Sequence, residues 1–211
     1  MTSRTAFKVL SHAPTAGGVA EILARAELPT RHGEFQIVSF RKASGLPSDH
    51  VALCRGAIAG KERVLTRMHS ECLTGDALGS IRCDCRDQLE ASLERLGQRD
   101  CGVLLYLRQE GRGIGIGNKV RAYQLQDSGL DTVEANVSLG FEDDLRSYVE
   151  AAAMLRLLDV ASVVLQTNNP RKIQGLRNEG IVTVREALVA SSRPENRHYL
   201  ETKRAKSGHL L

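Results

Sequence analysis

The sequence predicts a mixed α and β fold: an antiparallel, β-rich first part, then alternating β and α elements around a mixed sheet. Three observations predict it. Short β-leaning runs separated by turn residues fill the chain up to His69. Residues 84–100 then change period, with Leu89, Leu93 and Leu96 at helical spacing. Beyond them, continuous apolar runs alternate with helix-like stretches, as in strands buried on both faces.

In order, residues 1–25 read as a flexible leader, rich in Ser, Thr, Pro and a Gly17-Gly18 pair, and 26–211 as a single domain. "LPTRHGEFQIVSF" (28–40) reads as a turn and a strand, "DHVALCRGAIAG" (49–60) as a second strand and "ERVLTRMH" (62–69) as a third, together an antiparallel meander. The helix over 84–100 has Gly97 as its stop. "CGVLLYLR" (101–108) is a buried strand, followed by the glycine-rich "QEGRGIGIGNK" (109–119) and a helix over 119–129. Residues 147–158 form a helix, 160–170 a buried strand ending in a polar turn, 171–180 a helix closed by Gly180, and 181–188 a last strand. The segment 191–211 is a polar tail.

Of 211 residues, 42% are hydrophobic and 26% charged, an ordinary globular composition with length for a real core. A net charge of +4 suits an anionic ligand. Only 4% of residues are aromatic and Trp is absent, which argues against a base-stacking nucleic-acid surface. No run of apolar residues is long enough to span a membrane. Five cysteines, an odd number, point away from a disulfide framework and toward thiolate chemistry in a reducing cytoplasm.

Three of those cysteines crowd into "HSECLTGDALGSIRCDC" (69–85): Cys72, Cys83 and Cys85, spaced C-x10-C-x-C. Thiolates favour zinc, and C-x-C brings two sulfurs together at a turn. The bland alternative is a set of buried free thiols, but Arg82, Asp84 and Arg86 flank the pair. His69 and Glu71 are the local candidates for a fourth ligand. Without one, the site is the open, catalytic kind, with water in the fourth position. Cys54 and Cys101 lie in apolar runs and read as core residues.

Three polar loops follow. "RQEGRGIG" (108–115) leaves a buried strand and can present backbone N–H groups to an anion; its spacing is neither a P-loop nor a dinucleotide fingerprint, and a plain surface turn is the alternative. "QTNNPRK" (166–172) also leaves a buried strand, combining helix-capping residues with Arg171 and Lys172. "DTVEANVSLGFEDDLRS" (131–147) gathers Asp143, Asp144 and Arg146; an acidic helix start is its simpler reading.

Taken in order, "HSECLTGDALGSIRCDC", "YLRQEGRGIG", "DTVEAN", "LGF", "TNNPRKI" and "HYLETKRAKSGHLL" resemble GTP cyclohydrolase II of riboflavin biosynthesis, from about Leu28 to Leu211. The resemblance implies a cytoplasmic homodimer using zinc and magnesium. It implies conversion of GTP to a diaminopyrimidine ribosyl phosphate with release of formate and pyrophosphate. By position, Cys72, Cys83 and Cys85 are the implied zinc ligands, with water as the fourth. The implied GTP contacts are Arg67, Met68, His69, Ser70, Glu71, Gln88, Glu110, Gly111, Arg112, Thr132, Thr167 and Lys172. Asp144 falls on the family's proton acceptor, Arg146 on its nucleophile and Tyr123 on a catalytic tyrosine. Because arginine stays protonated, an electrostatic clamp on the α-phosphate is the physically simpler role for Arg146.

The chain departs from the family's pattern at "SYVEAAAML", at "VREAL" and at Gly117. A specialised relative performing only part of the reaction, ring opening without deformylation or pyrophosphate release alone, is therefore the second reading. A zinc deaminase is disfavoured, since its P-C-x-x-C signature is missing. A zinc module binding nucleic acid would leave Glu110, Asp144 and the loops at the strand ends unexplained.

Overall fold

The computed structural model of the chain describes residues 18–188, 194–206 and 208–210. Within them the early strands are β1 (Val19–Thr30), β2 (Gly33–Lys42), β3 (Pro47–Arg55) and β4 (Val64–Ser70). A π-helical turn, Leu73–Ala77, leads to α1 (Cys85–Gly97) and β5 (Gly102–Leu107). A 3-10 turn, Glu110–Gly113, precedes α2 (Gly115–Asp127), α3 (Thr132–Ser138) and α4 (Val149–Leu157). Then come β6 (Ser162–Gln166), α5 (Pro170–Asn178), β7 (Val182–Glu186) and α6 (Pro194–Lys206).

The strands form one seven-stranded mixed sheet in the order β1-β2-β3-β5-β4-β6-β7. Antiparallel pairing joins β1 to β2, β2 to β3 and β3 to β5; parallel pairing joins β5 to β4, β4 to β6 and β6 to β7. The predicted fold class holds. The meander does not extend to residues 62–69: β5 inserts between β3 and β4, so β4 is a central parallel strand. Its nearly unbroken burial fits that position.

Side-chain alternation divides the sheet between two cores. Met68, Val103, Leu105, Leu107, Val163 and Leu165 face one side, packed with Tyr148, Met154 and Leu155 around α4 and with Leu176 of α5. Leu65, Leu104 and Phe35 face the other, packed with Leu89, Leu93 and Leu96 of α1. The helical leucines therefore lie where their spacing put them.

Three further segments differ from expectation. The leader expected over 1–25 overlaps β1, which begins at Val19; residues 1–17 lie outside the described residues. "VAEILARAEL" is composed like a helix, but ten paired positions with β2 hold it in a strand, an override of local propensity by sheet pairing. The tail holds α6, which begins at Pro194, a residue suited to the first turn of a helix; residues 191–193 of that tail lie outside the description. A short helix, α3, also stands where none was expected, closed at its start by the Asp131–Glu134 capping box.

The parallel half sets up the site. Strands β4, β5 and β6 run the same way, so the segments after Ser70, Leu107 and Gln166 leave from one edge of the sheet. Ligands in such sheets favour this carboxyl edge.

Gly97 locks α1 against the β1–β2 turn. A Cβ there would lie 1.8 Å from the His32 carbonyl oxygen, a backbone atom that cannot step aside. Gly97→Ala is expected to destabilise the protein by about 1–3 kcal/mol in urea unfolding; an unchanged midpoint would show that the turn gives way freely.

Candidate active site

Alternation along β4 decides what faces the edge. Met68 points into the α4 core, while Arg67 and His69 point to the α1 side, in step with Leu65. There they enter a cleft whose walls also include Ser70, Glu71, Cys72, Cys83, Cys85 and Gln88 from the first motif and α1. Glu110, Gly111, Arg112, Tyr123, Thr132, Arg146, Thr167 and Lys172 complete the expected residues in it. Met68 contributes only its carbonyl oxygen, which accepts from Lys172 Nζ at 2.7 Å. Asp144 is not among the lining residues and sits beside Arg146.

The three sulfurs lie within 4.8 Å of one another, and among the described residues no fourth Cys, His, Asp or Glu joins them. Gly75 makes room for them: a Cβ there would sit 3.1 Å from the Cys72 and Cys83 sulfurs and 3.3 Å from Cys85 Cβ. Its N–H donates to Cys72 Sγ at 3.4 Å, and Lys119 Nζ donates to the same sulfur at 3.1 Å. Hydrogen bonds from the Cys83 and Cys85 thiols, then the Lys119 ammonium, hold Cys72 far below the ordinary thiol range. The hydrogen bond with Cys72 pushes Cys83 up to about 11 and Cys85 well above its usual value. That donor set, cradled by a residue without a side chain, fits a metal ion that binds all three as thiolates. None of the five cysteines forms a disulfide.

The two candidates for a fourth ligand are otherwise engaged. His69 Nε2 faces Asp76 Oδ2 at 2.9 Å, and its ring stacks on Tyr106. Burial lowers the His69 pKa, which favours the neutral ring. Asp76 accepts, which assigns the His69 proton to Nε2 and leaves a lone pair on the buried Nδ1. Glu71 pairs with Arg108 at 2.6 Å; burial still pushes its carboxyl up against that pull.

Asp76 was not singled out by the sequence, although it lies in the first motif. Its carboxylate also accepts from Tyr106 Oη at 2.9 Å and from the Cys72 N–H at 3.0 Å. Lys119 is a second such residue. It stands one helical turn before Tyr123, a spacing that places the two side by side. It also donates to Glu110 Oε1 at 2.7 Å. The other Glu110 oxygen accepts from the Leu73 N–H at 2.6 Å, so this acid ties the loop after β5 to the loop after β4. Tyr123 Oη meets Thr74 Oγ1 at 3.1 Å, and burial raises its pKa.

Basic groups line the rest of the cleft. Arg67 is buried, donating to the Gln166 carbonyl at 2.9 Å and to Gln88 Oε1 at 2.6 Å. Burial lowers its pKa to about 10, and its Nε has no hydrogen-bond partner among the described residues. Arg112 holds positive φ, +61°, in the tight turn after Glu110 and donates to the Asp143 carbonyl at 3.2 Å. Arg146 grips Asp144 with two hydrogen bonds, 2.7 Å from Nε and 2.6 Å from Nη2.

Burial alone would raise the Asp144 pKa, but the Arg146 guanidinium outweighs it and holds the carboxyl below its usual range. A lowered carboxylate pKa stabilises the fold above the unfolded value and loses that contribution as pH falls through the lowered one. The Asp144→Asn protein is therefore expected to melt below the unmodified one at neutral pH, with the gap closing below about pH 4. Thermal melts across pH 3–7 check this; a gap independent of pH would mean that the pair adds nothing through its charge.

Comparison with known proteins matches this chain to one family. The GTP cyclohydrolase II profile matches residues 21–187. GTP cyclohydrolase-2 of Cronobacter sakazakii is 56% identical over 191 residues, covering 90% of this chain and 96% of its own. The enzymes so named from Proteus mirabilis and Aeromonas hydrophila are 54% and 53% identical over the same span, covering 95% and 96% of their own chains. A solved two-domain 3,4-dihydroxy-2-butanone 4-phosphate synthase from A. baumannii aligns with 82% of this chain and 41% of its own, at TM-score 0.44 and 20% identity, too loosely to argue from. With the profile and relatives in agreement along nearly the whole chain, the protein belongs to the GTP cyclohydrolase II family of hydrolases.

Proposed function

We propose that this chain hydrolyses GTP, opening the imidazole ring of guanine and releasing formate and pyrophosphate, to leave a diaminopyrimidine ribosyl phosphate for riboflavin biosynthesis. The observation that carries the reading is one cleft with three converging cysteines in its wall and Arg67, Arg112, Arg146 and Lys172 around it. Cys72, Cys83 and Cys85 would hold the zinc, which would supply Lewis acidity for activating water near neutral pH.

The chain's own residues bind, orient and move protons. Arg112, Arg146 and Lys172 balance the charge of the triphosphate, with magnesium accompanying the phosphates. Glu110 uses its oxygens on Lys119, Gly111 and Leu73, leaving it little acceptor capacity for a purine; its work is to hold the loops. Tyr123 stays protonated and can donate from its hydroxyl, steadied by Thr74. The neutral His69 offers its Nδ1 as an acceptor.

Arg146 acts as a clamp. Burial opposes its charge, but the Asp144 hydrogen bonds raise its pKa above the ordinary value, the reverse of what a nucleophile needs. Asp144 aims the guanidinium. The homodimer implied by the resemblance belongs to this reading as well.

The direct test is to incubate the zinc-loaded protein with GTP and magnesium and assay formate, pyrophosphate and the pyrimidine chromophore together. All three are expected; pyrophosphate without formate would point to the partial reaction, and no turnover would sink the reading. Cys83→Ser is expected to lose most of its zinc and its turnover, and full zinc retention would remove Cys83 from the ligand set. Mass spectrometry of protein quenched during turnover is expected to find no guanylyl group on Arg146; an adduct would contradict the clamp.

A further inference from the structure

Two residues of the C-terminal part of the chain line the cleft. From α6, Tyr199 lines it, within electrostatic reach of Cys83, Cys85 and Arg112. From the segment 208–210, His209 lines it too. The helix that carries Tyr199 is seated by the buried Asn196 and Thr202.

The segment with His209 is fastened at two points. The Leu210 N–H donates to the Asn168 carbonyl at 2.9 Å, and the Leu210 carbonyl accepts from Arg185 Nη2 at 3.1 Å. Asn168 belongs to the loop after β6, between Thr167 and Asn169, and all three line the cleft. Its side chain locks that loop to the exit of β7: Nδ2 donates to the Leu188 carbonyl at 2.6 Å, and Oδ1 accepts from Arg185 at 3.0 Å. The same Arg185 donates through Nε to the Thr167 carbonyl at 3.1 Å. The loop after β6 and the tail are thus one hydrogen-bonded unit. Leu210 directly follows His209, so a clasp at Leu210 limits where His209 can lie.

We propose that the tail is part of the substrate site: Tyr199 and His209 contact the bound nucleotide, and the Leu210–Asn168 clasp is the positioning element that holds His209 there. Tyr199 lies within electrostatic reach of the cysteines, and His209 directly precedes the residue clasped to the loop after β6. This rests on the proposed GTP reading, so its test reads binding separately from turnover.

The test measures the Kd of GTP by rapid titration, with zinc content and Tm, for the unmodified full chain and three variants. His209→Ala removes the imidazole. Leu210→Pro removes the N–H of the clasp, whereas Leu210→Ala keeps it. Each of the first two is expected to raise Kd about tenfold, the scale of one lost hydrogen bond to a charged group. Leu210→Ala should bind as the unmodified protein does, and zinc should stay full in all three. Unchanged Kd in His209→Ala and Leu210→Pro would overturn the inference, as would weakened binding accompanied by lost zinc or a lowered Tm. If the unmodified protein binds GTP without hydrolysing it, the proposed hydrolysis fails while a tenfold change in Kd still supports the tail's role. No GTP binding by the unmodified protein overturns both.

Discussion

A single buried carboxylate holds the site together. The Asp76 side chain is 5% exposed and takes donors from three directions: His69 on β4, Tyr106 on β5 and the backbone of Cys72. A charge placed there without partners would cost several kcal/mol; hydrogen bonds to charged groups return about 1.5–3 kcal/mol each. The network is therefore stable only when all its members are in place. Through it the first cysteine is registered against two parallel strands, and the cleft inherits the rigidity of the sheet.

The sheet supplies the rest of the geometry. Because β4 is parallel to both β5 and β6, three loops leave one edge, and each brings a different chemistry. The loop after β4 carries sulfur, the loop after β5 carries Glu110 and Arg112, and the loop after β6 carries Thr167 and the start of α5. Glu110 bridges the first two through Leu73, and Lys172 ties the third to β4 through the Met68 carbonyl. The cationic wall is thus fastened to the wall that holds the cysteines.

Much of this was legible in the sequence where the signal is chemical and local. The C-x10-C-x-C spacing announced the sulfur cluster, and the buried strands announced the central sheet. Signals that depend on partners far along the chain were not legible. The strand β1 carries a helix-like composition and exists because β2 pairs with it. The meander failed at β4 because strand order is a long-range property. Met68 sits between two cleft residues, yet alternation turns its side chain to the core. Asp76 and Lys119 lay in plain view inside quoted motifs; only the fold shows that one receives three donors and the other touches a sulfur.

The central claim is that the three cysteines hold zinc with a position open for chemistry. Zinc-edge X-ray absorption on the zinc-loaded, resting protein tests it most directly. The account predicts three sulfur neighbours at about 2.3 Å and one lighter neighbour at about 2.0–2.2 Å. A shell of four sulfurs, or one without sulfur, would contradict it.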